Sequence, residues 1–190
     1  MLWQKIVLGI VSFLITTGSG LPSPQRPGKR ATVEWPIKNG YVAFGDSYGA
    51  GMGTGTTSTD SCRVGSNNFG AQLWQWTPNN QNINYQQKVC SGDTTVGLNR
   101  QINEWQSPQL ADVATVSMGG NDLGFSNMVY FCVITPNTAN FASTNQRECN
   151  NAKSAAISLM SDSSDNGLKA KLQSAYLSIL QKSGRQVSEL

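Results

Sequence analysis

Three short apolar segments, kept apart by two segments of helical periodicity, limit most tightly what this chain can fold into. Tyr41-Val42-Ala43-Phe44 is an apolar, aromatic run that reads as a buried strand and ends abruptly at Gly45-Asp46-Ser47. Ile83 to Val89 reads as a second strand, with Ile83, Tyr85 and Val89 at alternate positions, and Asp112 to Met118 as a third. Between the first two, Asn67 or Asn68 can cap a helix through Phe69, Leu73, Trp74 and Trp76 that Pro78 stops. Between the second and third, a helix starts at Asp93 or Thr94. It carries Val96, Leu98, Ile102 and Trp105 at roughly helical spacing, and Pro108 follows its end. Residues 49–66 are rich in Gly, Ser and Thr and read as loop. Residues 151–161 and 167–182 read as further helices, the second with Leu168, Leu172, Tyr176, Leu177 and Leu180 on one face.

Strand and helix in alternation imply right-handed crossovers and a parallel sheet with helices on both faces, an α/β architecture. Ligand-handling loops in such sheets lie at the carboxyl ends of the strands. Ser47, Ser91-Gly92-Asp93 and Gly120-Asn121-Asp122 all fall at such ends. Three polar loops on one rim carry an inference that none carries alone.

The 190 residues suffice for one domain, and 38% hydrophobic against 13% charged residues excludes a disordered chain. The net charge of +3 is a property of the leader. Lys5, Arg26, Lys29 and Arg30 are the only charges before residue 31, and beyond it ten basic residues face eleven acidic ones. A nucleic-acid-binding domain does not fit that balance. The run Gly49 to Gly55 lacks the spacing of a nucleotide loop. No cofactor is called for. There is no histidine, so the chain offers neither a His-ligated metal site nor a His base, and its four cysteines lack a C-x-x-C pair.

Residues 1–20 read as a secretory signal. Lys5 precedes the apolar stretch Ile6 to Ile15, which is too short to span a bilayer, and Thr16 to Gly20 supplies small residues for cleavage. Residues 21–30 hold three prolines and end in Lys29-Arg30, which reads as a dibasic processing site, the plainer reading being a solvated linker. The single domain then occupies residues 31–190, outside the cell and without stable membrane insertion. Secretion permits disulfides. Of three possible connectivities, Cys62–Cys90 with Cys132–Cys149 is favoured, because each pair brackets one compact segment. Each closure contributes about 3 kcal/mol in the chain-entropy picture.

Ser47 follows a strand on a turn eased by Gly45 and Gly49, which exposes its hydroxyl and aims its N–H into the same space. That suits a nucleophile whose amide also stabilises an oxyanion. Gly92 offers an N–H uncovered by a side chain, and Asn121 an amide NH₂ beside the close-approaching Gly119-Gly120 pair. Together they make a three-donor oxyanion hole. The plainer reading leaves Gly-Asp-Ser as a turn, Gly92 as a turn residue, and Asn121 and Asp122 as helix caps.

These residues carry a specific resemblance. Tyr41-Val42-Ala43-Phe44-Gly45-Asp46-Ser47-Tyr48-Gly49-Ala50-Gly51 resembles the first block of the GDSL/SGNH hydrolases. Cys90-Ser91-Gly92-Asp93-Thr94 resembles the second, and Ser117-Met118-Gly119-Gly120-Asn121-Asp122-Leu123-Gly124-Phe125 the third. Order and spacing match over about residues 38–182, and the paired cysteines look like those of secreted fungal members. The resemblance implies a flavodoxin-like three-layer α/β/α fold and ester hydrolysis through an acyl-serine. Ser47 would be nucleophile and oxyanion donor, Gly92 and Asn121 the other donors, Asp46 a supporting neighbour, and Asp122 the residue that orients the Asn121 loop. It also implies a small-molecule, lipid or acylated-glycan ester as substrate. The family takes its remaining triad members from a C-terminal D-x-x-H block and continues its sheet beyond the region of residue 182. Neither is present, so the chain reads as truncated before its catalytic base and inactive or strongly impaired alone. The competing reading is a non-catalytic secreted protein that binds a glycan or acyl group on the same rim, with Trp74, Trp76 or Trp105 contributing if exposed.

Overall fold

The computed structural model describes residues 36–135 and 142–185. The leader, the segment before Lys29-Arg30 and the dibasic pair itself lie outside them.

Strands β1 (Gly40–Gly45), β2 (Asn84–Gln87) and β3 (Val113–Ser117) form one parallel sheet in the order β2-β1-β3. Helix α2 (Phe69–Trp76) lies between β1 and β2 in the chain, and α3 (Thr95–Asn103) between β2 and β3. The chain steps one way from β1 to β2, then back across β1 to β3. With right-handed crossovers that reversal sends successive helices to opposite faces. The packing agrees. Tyr41 and Ala43 face α2 through Leu73 and Trp74, while Val42 and Phe44 face α3 through Leu98, Ile102 and Trp105. All six residues of β1 are buried, as a central strand covered on both faces requires. The flavodoxin-like α/β/α layering expected of an SGNH hydrolase is the one observed.

Both outer strands are shorter than the apolar pattern suggests. Asn84, Gln86 and Gln87 make β2 polar, and the Gln86 side chain is drawn to the Gln106 backbone at the end of the α3 segment. Helix α6 (Leu168–Lys182) packs on the α3 side with Leu168, Ala175 and Ile179 buried. Leu177 is exposed, which corrects the face drawn from sequence: two residues beyond Ala175 on a helix is a 200° rotation, so it points away from the core. Lys182 Nζ donates to the Ile102 and Asn103 carbonyls, at 2.5 and 2.8 Å, and so caps the end of α3.

Four elements depart from the sequence reading. A one-turn helix, α1 (Ser47–Ala50), begins at the serine inside the glycine-rich segment. Phe125–Val129 forms α4, followed by a π-helical turn at Tyr130–Ile134. Helix α5 (Ala142–Ser161) starts nine residues before the expected 151. It joins the π turn through Cys132–Cys149, and Cys62–Cys90 ties the loop after α1 to the end of β2.

Leu98 is fully buried between β1 and α6. Leu98→Ala is expected to lower stability by about 3 kcal/mol in urea unfolding. Val96→Ala, on the exposed side of the same helix, is expected to change it by less than about 0.5 kcal/mol.

Candidate functional site

The rim at the carboxyl ends of the strands is built around the end of β1. The ladder with β3 runs to Gly45↔Ser117 and is extended by Asp46 N–H donating to Ser117 O at 2.9 Å. A side chain at Gly45 would meet Ser117 O at 3.0 Å and Gly49 Cα at 3.1 Å, so the chain turns here at the closest approach glycine allows. The Asp46 carboxylate is buried and caps α1, its Oδ1 accepting from Tyr48 N–H at 3.0 Å. Ser47 thus opens a helical turn, half-buried, at the mouth of the rim.

The second loop turns at Gly92, whose φ of +89° favours glycine, and nothing lies within 4 Å of where its Cβ would be. Ser91 N–H donates to Cys62 O, so the Cys62–Cys90 crosslink also fixes the entry to this loop. The third loop is stitched to the second. Asn121 Nδ2 donates to the Asp93 carbonyl at 2.8 Å. The Asp122 carboxylate takes the Thr95 N–H at 2.9 Å and the Thr95 hydroxyl at 2.7 Å. Thr94, the residue before α3, makes no side-chain cap of its own. Asp122 therefore supplies that cap from across the rim, and in doing so locks the Asn121 loop against α3.

Among the described residues, neither the Ser47 N–H nor the Gly92 N–H donates to another protein group. An amide NH₂ has two hydrogens, and the bond to Asp93 occupies one of those on Asn121. Ser47, Gly92 and Asn121 therefore come from three loops that are bonded together, each with a donor to spare. Tyr48 and Phe125 flank the serine turn and the Asn121 loop. Both are exposed, with their rings in edge contact at 6.1 Å between centroids.

The family model for GDSL-like lipases and acylhydrolases matches residues 43–182. The chain belongs to that family. It is 34% identical over 95 residues to a lipase of Streptomyces rimosus, and 31% identical over 99 residues to lipase 1 of Streptomyces coelicolor. These matches cover 48% and 50% of this chain but 34% and 35% of those proteins, so the chain aligns with about a third of each relative. In fold it is similar to the extracellular lipase of S. rimosus (TM-score 0.59, 23% identity, 76% of this chain and 55% of that one). It is similar also to phospholipase A1 of Streptomyces albidoflavus (0.59, 24%, 77% and 56%).

Two parts of the site lay beyond the sequence reading. One is that the helix Asp122 caps is α3, across the rim. The other is Gln101, whose side chain is almost fully buried beneath the rim. Positions 98, 101, 102 and 105 follow the i, i+3, i+4, i+7 pattern of a buried helix face, and a Gln among apolar residues on that face was its visible signal. Among the described tryptophans, Trp105 is buried, Trp74 stacks on Tyr85, and Trp76 is exposed. Among the described residues no group of three His, Cys, Asp or Glu side chains is placed to hold a metal ion, and no helix is long and apolar enough to cross a membrane.

Burial pushes the Asp46 carboxyl above its ordinary range, against the opposing pull of the backbone N–H groups it accepts from, and the nearby Asp122 charge adds to the rise. A folded-state pKa raised above the unfolded value means stability is lost as pH rises through it. Asp46→Asn keeps an acceptor for Tyr48 N–H and removes the buried charge. Its thermal midpoint at pH 7 is expected to exceed the wild-type one, and the gap to close as pH falls below the ordinary carboxylate range.

Proposed function

We propose that this chain carries the nucleophile and the oxyanion hole of a secreted carboxylic ester hydrolase. One observation carries the reading: three bonded loops converge at the strand ends with donors uncommitted at Ser47 N–H, Gly92 N–H and the Asn121 amide. Ser47 Oγ adds to the ester carbonyl carbon, and the negative charge that gathers on the carbonyl oxygen is held by those three donors. The C–O bond to the alcohol then breaks, the alcohol leaves with a proton, and an acyl-Ser47 remains. Water adds to it and releases the acid and the free serine. Asp46 and Asp122 are supports: one caps the serine turn, the other fixes the Asn121 loop. Membership of a lipase and acylhydrolase family supports small-molecule or lipid esters as the substrate class, and the Tyr48–Phe125 pair offers an apolar flank for their acyl group. The apolar leader and the two disulfides support an extracellular setting.

The proton acceptor for Ser47 is not a histidine of these 190 residues, which contain none. Serine hydrolases stripped of a triad member keep about 10³–10⁴-fold acceleration over water through binding and the oxyanion hole. The same residual level is expected here. With p-nitrophenyl acetate, the chain is expected to gain one acetyl group, on Ser47, faster than free serine does, and Ser47→Ala to abolish it. Acetylation that persists in Ser47→Ala would contradict the proposal. An acyl or glycan ligand that raises the thermal midpoint equally in both proteins, with no acetylation in either, would favour the binding-protein reading.

A further inference from the structure

Gln101 is wired to two of the three loops. Its Oε1 accepts the Gly45 N–H at 3.0 Å, and its Nε2 donates both to the Gly45 carbonyl at 2.9 Å and to Asp93 Oδ2 at 2.6 Å. The reason lies in the sheet. The β1–β2 register ends at Ala43↔Gln87, and beyond it Cys90 N–H still donates to the Gly45 carbonyl at 2.9 Å, but the Gly45 N–H, two residues before the serine, finds its partner in Gln101 and not in the neighbouring backbone. A buried backbone donor without a partner is destabilising. The Gln101 carboxamide supplies the acceptor that the neighbouring segment does not, and it spends its remaining hydrogen on the residue after Gly92.

We propose that Gln101 is a positioning residue: it holds the Ser47 turn and the Gly92 loop at a fixed separation, so that their two N–H groups reach one oxyanion. The proposal rests on the hydrolase reading above. It follows from the wiring, since Gly45 is two residues from Ser47 and Asp93 is one from Gly92. Asp93 also carries Asn121, through its carbonyl, and it is pinned from outside by Arg100, whose guanidinium reaches Asp93 Oδ2 at 2.7 Å. Misplacing reacting groups by 1 Å costs about 100-fold in rate, so a single amide that sets this spacing has leverage on the chemistry.

The test compares Gln101→Met, close in volume and without hydrogen bonds, and Gln101→Glu with the wild type in the 190-residue chain. The readouts are Ser47 acetylation by p-nitrophenyl acetate and the ¹H–¹⁵N resonances of the Ser47 and Gly92 amides and the Asn121 side chain. Gln101→Met is expected to remain folded, to shift the Gly92 and Asn121 resonances, and to slow acetylation about 100-fold. The half-saturating ester concentration is expected to stay unchanged. Gln101→Glu sets a carboxylate against Asp93, with Arg100 behind Asp93 and Glu104 behind Arg100. Its rate deficit relative to wild type is expected to shrink about tenfold as pH falls and the new carboxyl regains a proton to donate; loss of packing alone would not follow pH in this way. If Gln101→Met does not fold, Gln101→Asn, which keeps the amide and shortens its reach, carries the same expectations. A wild-type acetylation rate in these variants overturns the proposal. So does a spectrum in which Gly45 shifts while Gly92 and the Asn121 side chain stay in place. If the wild type itself shows no Ser47 acetylation, the hydrolase reading falls, and the spectra still decide whether Gln101 holds the two loops together.

Discussion

β1 contributes to both hydrophobic clusters of the core. It is paired on both edges and covered on both faces, so its six residues are all buried and its exit point is fixed by the whole domain. Val42 and Phe44 meet α3 and α6, and Tyr41 and Ala43 meet α2. Apolar burial, worth about 25 cal/mol per Å², acts on both faces of this strand and anchors it in the core. A serine set two residues past its buried end inherits that rigidity. The strand order β2-β1-β3 then brings the loops after the two neighbouring strands to the same rim, where doubly wound sheets bind ligands.

What turns three neighbouring loops into a site is the hydrogen bonding between them. Asn121 holds Asp93, Asp122 holds Thr95, and Gln101 holds both Gly45 and Asp93. Each such bond contributes only about 1 kcal/mol net, and breaking one inside a buried network costs more, because it strands the partner. The network occupies the Asp93 and Asp122 oxygens and the Gly45 carbonyl, while among the described residues the Ser47 and Gly92 N–H groups donate to no protein group. Uncommitted donors held by committed neighbours are what electrostatic preorganisation demands, since they need no reorganisation when charge develops.

Much of this was legible in the residues. Tyr41 to Phe44 announces a buried strand by composition alone, and Asn68 announces a helix cap that the structure uses, accepting from Ala71 N–H at 2.9 Å. The three motif blocks point to the rim before any coordinates do. Helix α6 was legible as a helix but less so in rotation: an apolar Leu177 does not say whether it faces core or solvent, and packing on α3 turned it outward. The start of α5 was hidden because Ala142 to Asn150 is polar apart from its alanine and cysteine. The cross-rim role of Asp122 was hidden because it depends on a residue 27 positions away. Gln101 could have been read as a polar residue on an apolar face, but its partner Gly45 lies 56 positions away and meets it only in the fold.

The central claim is that the three loops form one oxyanion hole, and Asn121 tests it most directly because its amide donates without taking part in the covalent step. The measurement is the rate of Ser47 acetylation in Asn121→Ala, beside its urea unfolding curve. The account predicts a rate about 10²–10³-fold below wild type, with a cooperative unfolding transition retained. A rate equal to wild type in a folded Asn121→Ala protein would contradict it.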